Sequence, residues 1–338
     1  MTADTGPTAE PALTTDGVAA SARAAEEAGD FDRALGHYRA LMQIEPRQPR
    51  WEIEAVRTLR LAGREAEAAE ALRGALRKHP GALGNPELRA MIPEADASEK
   101  SARDALGDHC PPDELLKREL AVDDDSDMIV VKGVRPAAVI VFTGLADRMV
   151  LPLPLFDRYM AELGLSAIYL RDRNRIGYFH GVKSLGDYDA SVAGLKSTLG
   201  DLGAEKVFTV GNSAGGIGAL SYGVDLNAAH IIGFSTPVSI TRAAANMDRR
   251  TQVFADRMLS GVPEPRRDLR ARLAARKDMG QTHLFFGSDM PEDRMHAQSL
   301  LGVDGVSLYP LPGLAGHGAL FRLAQNGDLR KVFANRFS

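Results

Sequence analysis

The chain has 338 residues, 44% of them hydrophobic and 25% charged, with a formal net charge of −4. This suits one large or two medium globular domains, and the near-neutral balance offers no basic footprint for nucleic acid. A single cysteine, Cys110, excludes an internal disulfide and fits a reducing, cytoplasmic setting, and no run of about eighteen apolar residues marks a membrane span.

Taken from the start, residues 1–14 are rich in Thr, Ala, Pro, Glu and Asp. They lack the basic start and apolar centre of a secretory signal and are expected to form a disordered tail. Residues 15–93 contain an internal repeat: Gly29, Ala34, Tyr38 and Pro46 recur as Gly63, Ala68, Leu72 and Pro80. A 34-residue period belongs to tetratricopeptide-like repeats, each a pair of antiparallel helices. Gly29 and Gly63 then mark the turns within each pair, Ala34 and Ala68 allow close helix packing, and Pro46 and Pro80 stop the second helix. Phe31 to Ile44 and Glu65 to Lys78 are apolar on one side, as such helices require. The tryptophan-leucine-glycine pattern of a first repeat helix is missing, and two repeats are few for independent stability. Support from a helix at Pro86 to Ile92 or from the rest of the chain is therefore expected. Repeats of this kind present a concave surface to a protein partner, or serve as a packing or dimerising appendage. Arg47, Arg50, Arg57, Arg60 and Arg64 read as a solvated helix face.

Residues 94–126 follow Pro93 and are broken by Pro111, Pro112 and the run Asp123-Asp124-Asp125. They are expected to be a linker with a short helix near Asp113 to Glu119. Cys110 sits in the polar, proline-flanked segment His109-Cys110-Pro111-Pro112 and reads as an incidental thiol.

From residue 127 to 338 the pattern alternates between β and α. Strands are expected at Met128 to Lys132, Ala137 to Phe142, Ser166 to Leu170, Val207 to Val210, His230 to Phe234, Thr282 to Phe286 and Val306 to Tyr309. Helices are expected at Leu153 to Leu163, Tyr188 to Leu202, Gly215 to Tyr222, Pro291 to Leu301 and Ala319 to Ala334. This order implies an α/β domain with a mostly parallel, doubly wound sheet. The arginine-rich stretch Ile240 to Lys277 interrupts the alternation and reads as a cap or a plain connector.

The chemistry-bearing residues fall at the ends of these strands. The run Val207 to Val210 leads into Gly211-Asn212-Ser213-Ala214-Gly215, a G-x-S-x-G sequence followed at once by a small-residue helix. Strand, sharp turn and helix would force Ser213 into a strained backbone conformation above the sheet, and a Cβ at Gly211 or Gly215 would press on a neighbouring strand or helix. His317, in the glycine-rich loop after the last strand, is the expected general base. Its carboxylate partner is expected after the strand Thr282 to Phe286, where Asp289, Glu292 and Asp293 compete. Asp289 is favoured because it lies nearest the strand end, while Asp293 opens a helical stretch and has a capping role available to it. Two backbone N–H groups would complete the site: that of Ala214, and that of Leu145 in the loop after Ala137 to Phe142. Arg171 and Arg173 follow a strand's C-terminal end, where they could hold an anionic substrate or pair with neighbouring acids. No P-loop, zinc-type spacing or dinucleotide fingerprint is present, and this chemistry needs no cofactor.

These motifs make the C-terminal part, from about residue 127 to 338, resemble the α/β-hydrolase superfamily. Its carriers are Gly211-Asn212-Ser213-Ala214-Gly215-Gly216, the turn Gly287-Ser288-Asp289 and Gly316-His317. More narrowly the chain resembles bacterial hydrolase-type domains associated with glycan or capsule biosynthesis. That likeness rests on Phe142-Thr143-Gly144-Leu145, Arg171-Asp172-Arg173, Tyr178-Phe179-His180-Gly181, Phe234-Ser235-Thr236-Pro237 and Asp293-Arg294-Met295-His296-Ala297. Ala214 replaces the commoner methionine after the serine, a tolerable change because that residue donates through its backbone. The resemblance implies a serine esterase or thioesterase working through an acyl-enzyme, or an acyltransferase, on an acylated small molecule or glycan. The alternative expectation is a non-catalytic scaffold that recruits partners through its helical repeats.

Overall fold

A computed structural model describes residues 14–78, 99–112, 118, 120, 126–145, 147–238, 240, 255, 258–277 and 280–337. The chain divides into two compact units, Met1–Ala82 and Leu83–Ser338.

The described residues of the first unit form the helices α1 (Thr15–Glu27), α2 (Phe31–Ile44), α3 (Pro49–Leu61) and α4 (Glu65–Lys78). Thr14 and Asp30 cap α1 and α2 by accepting from the backbone N–H of Gly17 and Arg33, and Pro49 opens α3. The α1–α2 and α3–α4 turns run through Gly29 and Gly63, both in the left-handed region. Every boundary of the first pair recurs 34 residues later in the second, as Thr15 to Pro49 and Phe31 to Glu65 illustrate. Ala34, Leu35, Tyr38 and Leu41 of α2 lie on one buried face. Two polar links brace these helices: Thr58 of α3 donates to the buried Glu26 carboxylate of α1, joining the two pairs, and Lys78 of α4 pairs with Glu52 of α3 at 2.7 Å within the second pair. Arg64 pairs with Asp32 and Glu67, and Arg50 lies over the Trp51 ring. The expected helix at 86–92 and the residues of the tail before Thr14 lie outside the described residues.

The described residues of the second unit begin with α5 (Glu99–Leu106) and a 3₁₀ turn (Gly107–His109). These fall in the stretch expected as a linker, yet Ala102 and Leu106 are buried in the core beneath the sheet. Most of the expected helix at 113–119, and the acidic run 123–125, lie outside the described residues. The remaining elements are β1 (Met128–Val131), β2 (Ala137–Phe142), α6 (Leu153–Glu162), β3 (Ser166–Leu170), α7 (Tyr188–Asp201), β4 (Lys206–Asn212), α8 (Ala214–Asp225) and β5 (His230–Phe234). They are followed by α9 (Glu264–Arg267), α10 (Leu269–Ala274), β6 (Gln281–Gly287), α11 (Pro291–Gln298), β7 (Val306–Leu311), α12 (Ala319–Gln325) and α13 (Asp328–Ala334). The single last helix expected from 319 to 334 is broken in two at Gly327, whose φ of 73° leaves the helical region.

The seven strands form one sheet in the order β1-β3-β2-β4-β5-β6-β7, parallel throughout except for the β1–β3 edge pair. Every residue of β2 and β3 is buried, which is why these strands read as continuous apolar runs without alternation. One face carries Val139, Val141, Tyr169, Phe208, Val210 and Phe234 against α6, α12 and α13. The other meets α8, where the Thr209 hydroxyl donates to Ala219 O at 2.9 Å. Fully burying each large side chain of this kind contributes about 1.5–3 kcal/mol. The register sets Phe142, Leu170 and Gly211 level, with Asn212 beside Phe234 and Phe234 beside Phe285. The loops that leave these strand ends therefore share one edge of the sheet.

Within the inserted stretch expected between 240 and 277, the described part includes α9 and α10. Its arginines fasten it to the body: Arg266 lies 4.1 Å over the Tyr188 ring and Arg272 pairs with Asp225 at 2.6 Å. Residues 241–254 lie outside the described residues.

Candidate active site

Ser213 stands between β4 and α8 with φ 55° and ψ −128°, a backbone conformation sparsely allowed for a residue with a Cβ. Close packing on both sides imposes it. A Cβ on Gly211 would lie 2.2 Å from Gly215 O, and one on Gly215 would lie 2.1 Å from Phe142 O. Helix α8 can thus turn back over β4 and β2 only with glycine at both places. Backbone bonds hold the turn: Ser213 N–H donates to Phe234 O at 2.8 Å, and Gly216 N–H to Ser213 O at 2.9 Å.

The Ser213 hydroxyl meets His317 Nε2 at 2.8 Å. His317 Nδ1 meets Asp293 Oδ1 at 2.8 Å and Oδ2 at 3.0 Å. The Asp293 side chain is 1% exposed and that of His317 22%, so the carboxylate is enclosed while the imidazole reaches the surface of the site. In this arrangement an imidazole held by a carboxylate on one nitrogen can remove a hydroxyl proton with the other.

The carboxylate is the point of correction. Strand-end position favoured Asp289, but the structure pairs His317 with Asp293. The β6 chain turns sharply at Gly287–Met290, leaving the Asp289 side chain exposed and bonded to the Ser288 hydroxyl at 2.6 Å. Asp289 serves through its backbone instead, donating to Leu314 O at 3.1 Å and anchoring the loop that carries His317. Gly287 lets that loop cross the strand end, since a Cβ there would lie 2.4 Å from Leu314 O. Asp293 sits in the first turn of α11, where the helix end stabilises negative charge. The N-cap is Met290, so Asp293 does not cap the helix; its first-turn place is what sets it, buried, beside the imidazole.

Ala214 is the first residue of α8, so its N–H belongs to the helix end that lacks intrahelical acceptors. Leu145 lies in the turn after β2, which runs against the elbow: a Cβ on Gly144 would be 3.2 Å from Asn212 O and 3.7 Å from Ser213 Cβ. Thr143 anchors the start of this turn, its N–H and hydroxyl both donating to Leu170 O, and the buried Tyr178 hydroxyl donates to Thr143 O. The Asn212 Oδ1 and Thr236 Oγ1 atoms beside the elbow are buried without a hydrogen-bond partner among the described residues.

Arg171 and Arg173 are turned toward protein acceptors. Both donate to Ser126 O, at 3.1 and 3.2 Å, and Arg173 pairs with Asp147 at 2.9 Å. Asp172 between them is buried and accepts from the backbone N–H of Ile176 and Tyr178, while its burial raises its carboxyl above the usual range. Asp147 carries no motif of its own in the sequence; its place two positions after Leu145, in the same turn, is the local signal for it.

No family model matches this sequence, and no curated protein matches it. Solved structures do match in fold. Esterase B from Lactobacillus rhamnosis has 14% identity and a TM-score of 0.50, covering 76% of this chain and 95% of its own. The fluorophosphonate-binding serine hydrolase F of Staphylococcus aureus has 13% identity and a TM-score of 0.43, covering 62% of this chain and 92% of its own. The capsule O-acetyltransferase of Neisseria meningitidis serogroup A has 14% identity and a TM-score of 0.42, covering 62% of this chain and 90% of its own. With the strand order and the elbow, the likeness to esterase B gives this chain the α/β-hydrolase fold.

Proposed function

We propose that this protein is a serine hydrolase of the ester or thioester type, working through an acyl-enzyme. The carrying observation is the continuous hydrogen-bonded line from Ser213 through His317 to Asp293 at the C-terminal edge of the sheet. His317 Nε2 takes the Ser213 proton as the oxygen attacks the acyl carbon. Asp293 holds Nδ1–H and so sets the tautomer and steadies the imidazolium. The tetrahedral oxyanion is received by the N–H groups of Ala214 and Leu145. His317 returns the proton to the leaving alcohol or thiol, and the acyl group remains on Ser213 Oγ. Water, activated by the same imidazole, then adds to the acyl carbon, and Ser213 leaves with its proton restored. Acyl transfer differs only in the acceptor, a substrate hydroxyl replacing water.

The narrower reading, an acylated glycan as donor or acceptor, rests on the short motifs around Phe142–Leu145 and Arg171–Arg173. The first unit is read as a tetratricopeptide-like pair of repeats that binds a protein partner, supported by the 34-residue recurrence of its helix boundaries.

The test is labelling of the purified chain with a fluorophosphonate, followed by peptide mapping. One phosphonylated site at Ser213, lost in Ser213→Ala and in His317→Ala, is expected. Ser213→Ala should also lower ester turnover by on the order of 10⁴-fold or more. A wild-type chain that stays unlabelled would overturn the reading and leave a scaffold.

A further inference from the structure

The turn that offers Leu145 is held in an unfavourable shape. Gly144 N–H donates to Arg148 O at 3.2 Å, and Asp147 N–H donates back to Gly144 O at 3.1 Å. Closing the turn this way puts Asp147 at φ 55°, in the left-handed region that a residue with a Cβ occupies at a cost. Aspartate enters this region more readily than most residues with a Cβ, and a force from outside the turn adds to the turn's own bonds.

That force is visible in the side chain. Asp147 Oδ2 accepts from Arg173 Nη1 at 2.9 Å, and Arg173 Nη2 donates to Ser126 O at 3.2 Å. Arg171 reaches the same carbonyl at 3.1 Å while its own N–H donates to Asp127 O at 2.8 Å. One guanidinium therefore bridges the turn after β2 to the chain entering β1, and Arg173 is itself anchored just past the end of β3. The pair is not an exposed surface contact: both side chains are 27% exposed, and burial pushes the Asp147 carboxyl up against the pull of Arg173, Arg175 and Arg171.

We propose that Asp147 and Arg173 form a latch that holds the Leu145 N–H in the oxyanion position, making both positioning residues of the reaction. The inference rests on the hydrolase reading above. Oxyanion donors act only where charge develops, and they do so well only when aimed beforehand. Loosening the latch must therefore slow the chemical step and leave binding of the ground-state ester nearly untouched.

The experiment uses the full chain, a short-chain p-nitrophenyl ester and a trifluoromethyl ketone, whose adduct with Ser213 carries an oxyanion. Asp147→Asn and Arg173→Ala should each lower kcat about ten- to a hundredfold, a tenth of the effect of deleting a donor outright, with KM within about twofold of wild type. Affinity for the trifluoromethyl ketone should fall by the same factor as kcat. The double variant should be no worse than the worse single one, because both remove one interaction. Arg173→Lys, which keeps the charge at Asp147, should recover at least about a third of wild-type kcat. The latch is overturned if Asp147→Asn keeps kcat within about twofold of wild type, or if the two losses multiply in the double variant. The outcomes separate cleanly from the underlying reading. A wild-type chain unlabelled by fluorophosphonate sinks the hydrolase, whereas a labelled and active wild type with unchanged Asp147→Asn sinks only the latch.

Discussion

The elbow after β4 and the turn after β6 both deliver a side chain to the same histidine, yet they do so by different physics. At the elbow the conformation is forced by exclusion. Gly211 and Gly215 are the only residues that fit where α8 folds back over β4 and β2, and Ser213 has no alternative position. After β6 nothing so restrictive operates. Three carboxylates follow within six residues of the strand end, and helix α11 decides among them by the direction in which its first turn points Asp293. A site residue fixed by steric exclusion leaves a signature in neighbouring glycines. One chosen by helix phase leaves none, because each of the three carboxylates is chemically plausible.

The largest consequence lies at the carboxylates. Asp293→Asn should lower kcat by about 10³- to 10⁴-fold, since an amide facing Nδ1 favours the wrong imidazole tautomer. Asp289→Asn, which keeps the backbone bond to Leu314, should leave kcat within about twofold; steady-state ester hydrolysis compares the two directly. Equal losses in the pair would contradict the helix-phase account.

The elbow itself should respond in stability more than in kinetics. Gly215→Ala places a Cβ against the Phe142 carbonyl, a backbone atom that cannot swing aside. The variant should lose about 3 kcal/mol, seen as a lower urea midpoint. A Gly215→Ala protein as stable as wild type would show that the glycine is not required by packing.

The smallest effect concerns the opposite end of β6. His283 is bonded to His230 at 3.0 Å and to the Tyr309 hydroxyl at 3.3 Å, with the Arg336 guanidinium over the Tyr309 ring. Burial, then the charge of Arg336, pushes His283 down to about 4. The unfolded chain, with histidine near its ordinary 6.5, binds more protons than the folded one between those values. Stability from this group is therefore complete above about pH 6.5 and falls as pH drops toward 4. Over that window the wild type should lose about 1–2 kcal/mol relative to His283→Gln, measured by urea unfolding at several pH values. Parallel pH profiles for the two proteins would contradict it.

Much of the fold was readable because its signals are local. The apolar runs of β2, β3 and β5 match their observed bounds, as buried parallel strands flanked by turn residues should. The boundaries of α2 and α4 followed from repeated glycine, alanine and proline positions. Where the reading failed, the deciding contact was remote. Helix α5 sits in a polar, proline-bounded stretch, and among its described residues Ala102 and Leu106 tie it to the core, too short a pattern to stand out. The break at Gly327 was hidden because a lone glycine inside an apolar-periodic stretch is compatible with an unbroken helix.

The amino-acid order alone determined the alternating sheet, the serine on a glycine-bounded turn and the histidine after the last strand, because each is encoded by residues adjacent in the chain. Which carboxylate serves that histidine, and what Arg171 and Arg173 hold, was decided only in three dimensions. Asp293 and Arg173 find their partners across 24 and 26 positions of chain. The orientation of a helix turn or a guanidinium at such a distance depends on packing that no local pattern records.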